Sequence, residues 1–256
     1  MRTKDEIVRD WLPRYTGRAL DDFGEYVLLS NFSQYVDLFA QRFGVPVVGR
    51  DRPMQSATAN GITVLNFGMG SAMAATTMDL LSAVAPKAVL FLGKCGGLKR
   101  TKVGDFILPI AAIRGEGASN DYLPPEVPAL PSFRLQRAVS AAIIAHGHDY
   151  WTGTVYTTNR RVWEHDDTFK EYLRTIRAIG IDMETATVFL VGFVNQIPKG
   201  ALLLVSDYPM TPEGVKTSAS DSAVNERFVQ RHLDVGIDAL FDLKDRGESV
   251  KHLRFE

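Results

Sequence analysis

The chain has 256 residues, with 29 Lys and Arg against 30 Asp and Glu, a formal net charge of -1, 45% hydrophobic and 23% charged residues. This is the composition of an ordinary folded protein and excludes a disordered or collagen-like chain. The even charge balance also excludes a broad nucleic-acid-binding surface, which needs a clustered cationic excess. The single cysteine, Cys95, has no internal partner for a disulfide, so a cytoplasmic protein is expected. Met1 to Arg14 carries seven charged side chains and no apolar stretch, unlike a secretory signal, and the longest apolar runs are far too short to span a bilayer, so no membrane partner is expected.

In chain order, Tyr26-Val27-Leu28-Leu29 reads as a buried strand ending at Ser30-Asn31. Ser33 can cap a helix running to about Arg42, with Gly44 as its stop. Ile62-Thr63-Val64-Leu65 is β-branched and leads through Gly68-Met69-Gly70-Ser71 into a helix over Ala72–Val84, ended by Pro86. Ala88 to Leu92 is another buried strand, running into a glycine loop, Gly93-Lys94-Cys95-Gly96-Gly97. Phe106 to Ile110 reads as a strand in which Pro109 marks an edge or a bulge. The proline-rich stretch 121–131 reads as extended loop, and Phe133 to His146 as an amphipathic helix. Thr152 to Thr158 is rich in β-formers, Glu184 to Val194 is a helix candidate, and Ala201 to Val205 is the clearest buried strand, ending at Ser206-Asp207. A last helix spans about Ala223 to Lys244.

Apolar strands alternating with helices imply a mainly parallel sheet covered on both faces, with ligands at the carboxyl ends of the strands. Nothing resembling a linker divides the chain, so one domain is the simpler reading. Several strands end alike, in Gly or a polar residue: Ser30-Asn31, Gly68-Met69-Gly70, Gly93-Lys94 and Ser206-Asp207. Glycines there permit tight turns and close backbone approach to a ligand, although such turns are also plain connections. Lys94 is either a ligand-facing cation or a solvated loop charge, and Cys95 fits best as a small buried hydrophobe. Asp182 and Glu184 open a helix, where acids also serve as simple caps. Asp207 follows five apolar residues. Desolvation at such a strand end raises a carboxyl pKa and suits it to general-acid work, and a turn cap is the equal alternative. The five histidines, including His252, show no metal-ligand spacing, and no metal or cofactor is expected.

Taken together, Gly68-Met69-Gly70, Gly93-x-Cys95-Gly96-Gly97, Asp182-Met183-Glu184 and Ser206-Asp207 resemble, in order and spacing, the landmarks of the nucleoside phosphorylase superfamily over roughly Tyr26 to Leu243. Within it the chain is most similar to the AMP nucleosidase family. Leu28-Leu29-Ser30-Asn31-Phe32, Gly93 to Leu98, Leu123 to Pro128, Thr152 to Thr158, Asp182 to Thr187 and Ser206-Asp207-Tyr208-Pro209 carry that narrower resemblance. It implies a three-layer α/β/α fold with a mixed, largely parallel central sheet, one catalytic domain over residues 1–256, and residues 1–25 as an N-terminal helical extension. Longer members add an N-terminal domain, so the resemblance is to the short form. Phosphorylases open with Gly-Asp-Pro-x-Arg, where this chain has Ser30-Asn31-Phe32-Ser33-Gln34. They also place an Arg and a Ser where this chain has Phe91 and Lys94. A phosphate nucleophile needs several donors, so water is the expected nucleophile.

The resemblance implies hydrolysis of AMP to adenine and ribose 5-phosphate. Asp207 would donate a proton to the purine, Glu184 would hold the ribose hydroxyls, Met183 would pack under the sugar and Ser206 would orient the base end of the site. Gly70, Asn31, Cys95 and Gly96 would line the site, with Tyr156 and Trp163 as stacking candidates. Lys94, then Arg161, lead the candidates for the 5′-phosphate, followed by Arg160 and Lys216, with Arg14 and Arg52 from a neighbouring subunit. The superfamily's larger branch implies a homo-hexamer with sites near a dimer interface. A purine or uridine nucleoside phosphorylase, or a nucleosidase acting on unphosphorylated nucleosides, is the alternative.

Overall fold

A computed structural model describes residues 1–246, so the last ten residues of the expected 1–256 domain, and His252, lie outside the described residues. Eight strands form one sheet: β1 (Tyr26–Ser30), β2 (Ser56–Ala59), β3 (Ile62–Asn66), β4 (Ala88–Gly97), β5 (Phe106–Gly115), β6 (Tyr150–Thr158), β7 (Gly180–Asp182) and β8 (Lys199–Asp207). The strand order is β2-β3-β1-β4-β7-β6-β5-β8, and β8 also pairs with β4. The second half of the sheet therefore closes on itself, while β2, β3 and β1 extend from it as an open wing. Pairs β1–β3, β1–β4, β4–β8, β5–β6 and β6–β7 are parallel; β2–β3, β4–β7 and β5–β8 are antiparallel.

Seven helices pack around this sheet: α1 (Lys4–Thr16), α2 (Ser33–Phe43), α3 (Ser71–Leu81), α4 (Phe133–Ala145), α5 (Asp167–Thr175), α6 (Thr185–Val194) and α7 (Ser218–Asp245). The continuous apolar strands divide their side chains between two cores, as period-2 geometry requires. Tyr26, Leu28, Leu90, Leu92, Leu202 and Leu204 face the core that includes α2, α4 and α7. Val27, Leu29, Val89, Phe91, Ala201, Leu203 and Val205 face the core that includes α1, α3 and α6. No helix among the described residues is long and apolar enough to cross a membrane.

Several expectations shift at this stage. The glycine loop 93–97 is strand: β4 runs unbroken to Gly97, because Gly93–Cys95 pair with Leu203–Val205 of β8 and Gly96-Gly97 with Gly180-Ile181 of β7. Gly96 is required there because a Cβ would stand 2.6 Å from the Pro209 ring. Pro109 marks a bulge, since the β5–β6 register slips between Pro109 and Ala111, and the strand is flanked on both sides rather than at an edge. Ser33 is the first helical residue of α2, with Phe32 in the capping position and no side-chain cap. Helix α7 starts at Ser218, five residues ahead of Ala223, behind a Thr217–Ser220 capping box.

Candidate active site

The carboxyl ends of β1, β4, β7 and β8 and the start of α7 surround one cavity of about 360 Å³. Its walls include Asn31, Phe32, Lys94, Cys95, Gly96, Arg160, Arg161, Trp163, Glu164, Asp182, Met183, Glu184, Ser206, Asp207, Lys216 and Asp221.

Glu184 is buried where β7 gives way to α6, and stands just before the helix rather than within it. Its Oε1 accepts the Gly70 N–H at 2.7 Å and its Oε2 the Met183 N–H at 3.3 Å. Gly70 has φ +92°, a conformation side-chain-bearing residues rarely adopt, and this turn aims its N–H at the carboxylate. Burial raises the Glu184 pKa, and the neighbouring Asp182 raises it further; the two N–H donors and the Asn31 side chain oppose the rise. Asp182 is itself tied down. Its Oδ1 accepts from Thr157 Oγ1 at 2.7 Å, and its Oδ2 from the Thr185 N–H at 2.8 Å and from the Thr185 hydroxyl. Thr157 Oγ1 in turn accepts the Ala186 N–H at 2.9 Å. Asp182 thus supplies the side-chain cap of α6 and fixes the strand-to-helix turn that carries Glu184.

Asp207, the last residue of β8, is held more loosely. The Ser206 hydroxyl donates to its Oδ1, and Cys95 O lies 3.3 Å from the same hydroxyl. Burial pushes the Asp207 pKa up and Glu164 adds to the rise, while Ser206, Lys216 and Arg161 oppose it. A carboxyl whose pKa is raised holds its proton to higher pH and is better suited to give it to a ligand.

Lys94 is not a solvated loop charge: its side chain is 3% exposed. Strand alternation turns it to the face opposite Cys95, where Nζ lies 4.1 Å from the centre of the Phe32 ring and donates to Asn225 Oδ1. Asp221 Oδ1, in the first turn of α7, stands 3.4 Å from Lys94 Nζ and 2.8 Å from Lys216 Nζ, so one carboxylate is shared by two ammonium groups. Burial pushes Lys94 down to about 8, with Asp221 opposing. Cys95 is buried, as a small hydrophobe should be, and burial pushes its thiol up, away from the thiolate.

Of the residues singled out from the sequence, Asn31, Lys94, Cys95, Gly96, Arg160, Arg161, Trp163, Met183, Glu184, Ser206, Asp207 and Lys216 line the cavity. Gly70 contributes through its N–H. Tyr156 does not line it. β6 presents this ring to α5, edge-on to Phe169 and Tyr172, and its hydroxyl lies against the bare Gly115 backbone. Arg14 lies over the Trp11 ring at 5.8 Å and Arg52 pairs with Asp51 at 3.5 Å, and neither lines this cavity. Phe32, Glu164 and Asp221 are among the cavity residues that the sequence did not single out, whereas Asp182 fills the capping role read for it. The charged residue Glu164, three positions after Arg161, was a usable signal. Asp221 had none, because the start of α7 was not visible.

Residues 25–241 match the family model of the phosphorylase superfamily. A solved AMP nucleosidase from Bacteroides thetaiotaomicron is 60% identical with a TM-score of 0.86, over 96% of this chain and 100% of that one. The AMP nucleosidase of Escherichia coli K12 is 29% identical over 93% of this chain, which spans 59% of that protein's length. The uridine phosphorylase of Treponema pallidum is 26% identical over 75% of this chain and 80% of its own length.

Proposed function

Because the chain belongs to the phosphorylase superfamily, on its AMP nucleosidase branch, we propose that it hydrolyses the N-glycosidic bond of AMP to adenine and ribose 5-phosphate. The observation that carries this reading is the charge layout of the cavity. The buried Glu184 and the partly buried Asp207 face the same space as two ammonium groups, Lys94 and Lys216.

The bond between C1′ and N9 breaks with positive charge building on the sugar and negative charge on the purine. Asp207, whose pKa burial raises, gives its proton to N7 of the leaving adenine. Glu184 accepts hydrogen bonds from the ribose 2′- and 3′-hydroxyls. These added donors favour its charged form, and the resulting carboxylate stabilises the sugar cation. Water adds at C1′ and loses a proton, so that adenine and ribose 5-phosphate are the balanced products. Met183 packs under the sugar, Trp163 flanks the base and Ser206 orients Asp207.

Lys94 and Lys216, beside the N-terminus of α7, take the 5′-phosphate, with Asp221 ceding donors to it. Arg161, which lines the same cavity and pairs with Glu164 at 3.5 Å, is a further candidate for this role. In a homo-oligomer, hexameric in this reading, Arg14 and Arg52, which do not line this cavity, would serve a neighbouring copy's. Light scattering after size exclusion tests that assembly.

The direct test is chromatography of products after incubation with AMP in phosphate-free buffer. Adenine and ribose 5-phosphate are expected; a strict requirement for inorganic phosphate would turn the reaction into phosphorolysis. Lys94→Ala should then raise KM for AMP about 10-fold or more while altering adenosine hydrolysis far less. Equal effects on both substrates would move the phosphate subsite elsewhere.

A further inference from the structure

A purine that offers N7 to Asp207 offers its 6-substituent along the same edge. In adenine that edge reads acceptor at N7 and donor at the 6-amino group; in a 6-oxopurine both positions are acceptors. What stands beside Asp207 therefore reads the base. Arg161, Trp163 and Glu164 line the same cavity as Asp207, and the charges of Arg161 and Glu164 both act on its carboxyl. The Glu164 side chain is 16% exposed, and its carboxylate is held in place: Oε2 accepts the Trp163 N–H at 2.9 Å and Oε1 faces Arg161 Nη1 at 3.5 Å. A carboxylate has about four acceptor sites, so acceptor capacity remains. Its negative charge adds to the rise that burial causes in the Asp207 pKa. Arg161, the neighbouring donor, directs Nη1 toward Glu164.

We propose that Glu164 selects the base: its carboxylate accepts a hydrogen bond from the 6-amino group of a purine whose N7 faces Asp207, so that the cavity takes 6-aminopurine nucleotides and rejects 6-oxopurine ones. This rests on the orientation of the base in the hydrolytic reading above. With a 6-oxopurine, two acceptors meet at Glu164 with no donor between them, which is the arrangement that discriminates most strongly between similar ligands. Glu164→Gln keeps the shape, and its amide can turn to donate to a 6-oxo group.

The experiment compares kcat/KM for AMP and IMP, which differ in the 6-substituent, in the unaltered protein and in Glu164→Gln. It also compares binding of free adenine and free hypoxanthine by calorimetry, with thermal melts to check folding. We expect AMP to be preferred by the unaltered protein. The AMP-to-IMP ratio should fall at least 10-fold in the variant, and hypoxanthine should bind the variant more tightly than it binds the parent. An unchanged ratio, or adenine and hypoxanthine binding that keeps the same order and spacing in both proteins, overturns the inference. If no nucleotide is hydrolysed by the unaltered protein, the hydrolytic reading fails. The two free bases still decide the role of Glu164.

Discussion

Glu184 and Asp207 are two carboxyls at strand ends of one cavity, both raised in pKa by burial, and they are held in opposite ways. Both oxygens of Glu184 receive backbone N–H groups, and the turn beneath it is anchored by Asp182, Thr157 and Thr185. Asp207 receives one hydroxyl, from Ser206. Donors aimed at both oxygens prepare Glu184 to act as an acceptor fixed in space. A single donor leaves Asp207 free to hold a proton and release it in one direction. The same residue chemistry under different hydrogen-bonding regimes gives an acid and a charge stabiliser, so burial alone does not assign the roles.

The largest expected effect is on the proton donor. Asp207→Asn keeps the shape, removes the proton that leaves, and should lower turnover on AMP about 100-fold or more. Steady-state kinetics on a variant with an unchanged melting profile checks this, and near-normal turnover would take the acid role from Asp207. Glu184→Gln should follow, with about 100-fold lower kcat/KM. The amide still accepts a hydroxyl but carries no charge to oppose the sugar cation. If Glu184→Gln proved more active than Asp207→Asn by less than twofold and shared its pH profile, the division of labour between the two groups would be lost.

The difference between these two carboxyls was only half legible in the sequence. The apolar runs at 26–29, 88–92 and 201–205 located three strands, and the polar residues after them located Asn31, Lys94 and Asp207 at a shared end of the sheet. Period-2 alternation then sorted those strands between two cores, as continuous apolar strands must. Hydrogen-bonding partners were invisible because they come from afar in the chain: Gly70 lies 114 residues before Glu184, and Thr157 lies 25 before Asp182. The closure of β8 onto β4 was equally invisible, since local pattern does not report which strands pair, and it is this closure that converts the glycine loop into strand and buries Lys94. Helix α5 was missed because its residues are largely polar and only Leu173 among them is buried. Tyr156 was misplaced because, in a strand, one step in register decides which face a ring occupies.

The rigid side of the comparison can be loosened without touching a reacting group. Thr157 is fully buried, and both its donor and its acceptor roles are used, toward Asp182 and toward the Ala186 N–H. Thr157→Val preserves the volume and strands both partners, which should cost about 1–3 kcal/mol of stability. Calorimetric or denaturant unfolding reads this. A loss below about 0.5 kcal/mol would mean that the Glu184 turn is held by packing rather than by the polar network.

The smallest effect, and the one that separates the two carboxyls most cleanly, is expected at Ser206. Its hydroxyl favours the charged form of Asp207, opposing the rise caused by burial. Removing it in Ser206→Ala raises the Asp207 pKa further. The active form of Asp207 is the protonated one, so activity is present below its pKa and lost as pH rises through it. The alkaline limb of kcat/KM against pH should therefore move to higher pH in Ser206→Ala, with only a few-fold change at the optimum. Glu184 has no contact with Ser206 and needs its charge, so a limb governed by Glu184 would lie on the acid side and stay in place. A shift of the alkaline limb to lower pH, or movement of the acid limb instead, would mean that the group losing its proton is not Asp207, and the two carboxyls would have to exchange roles.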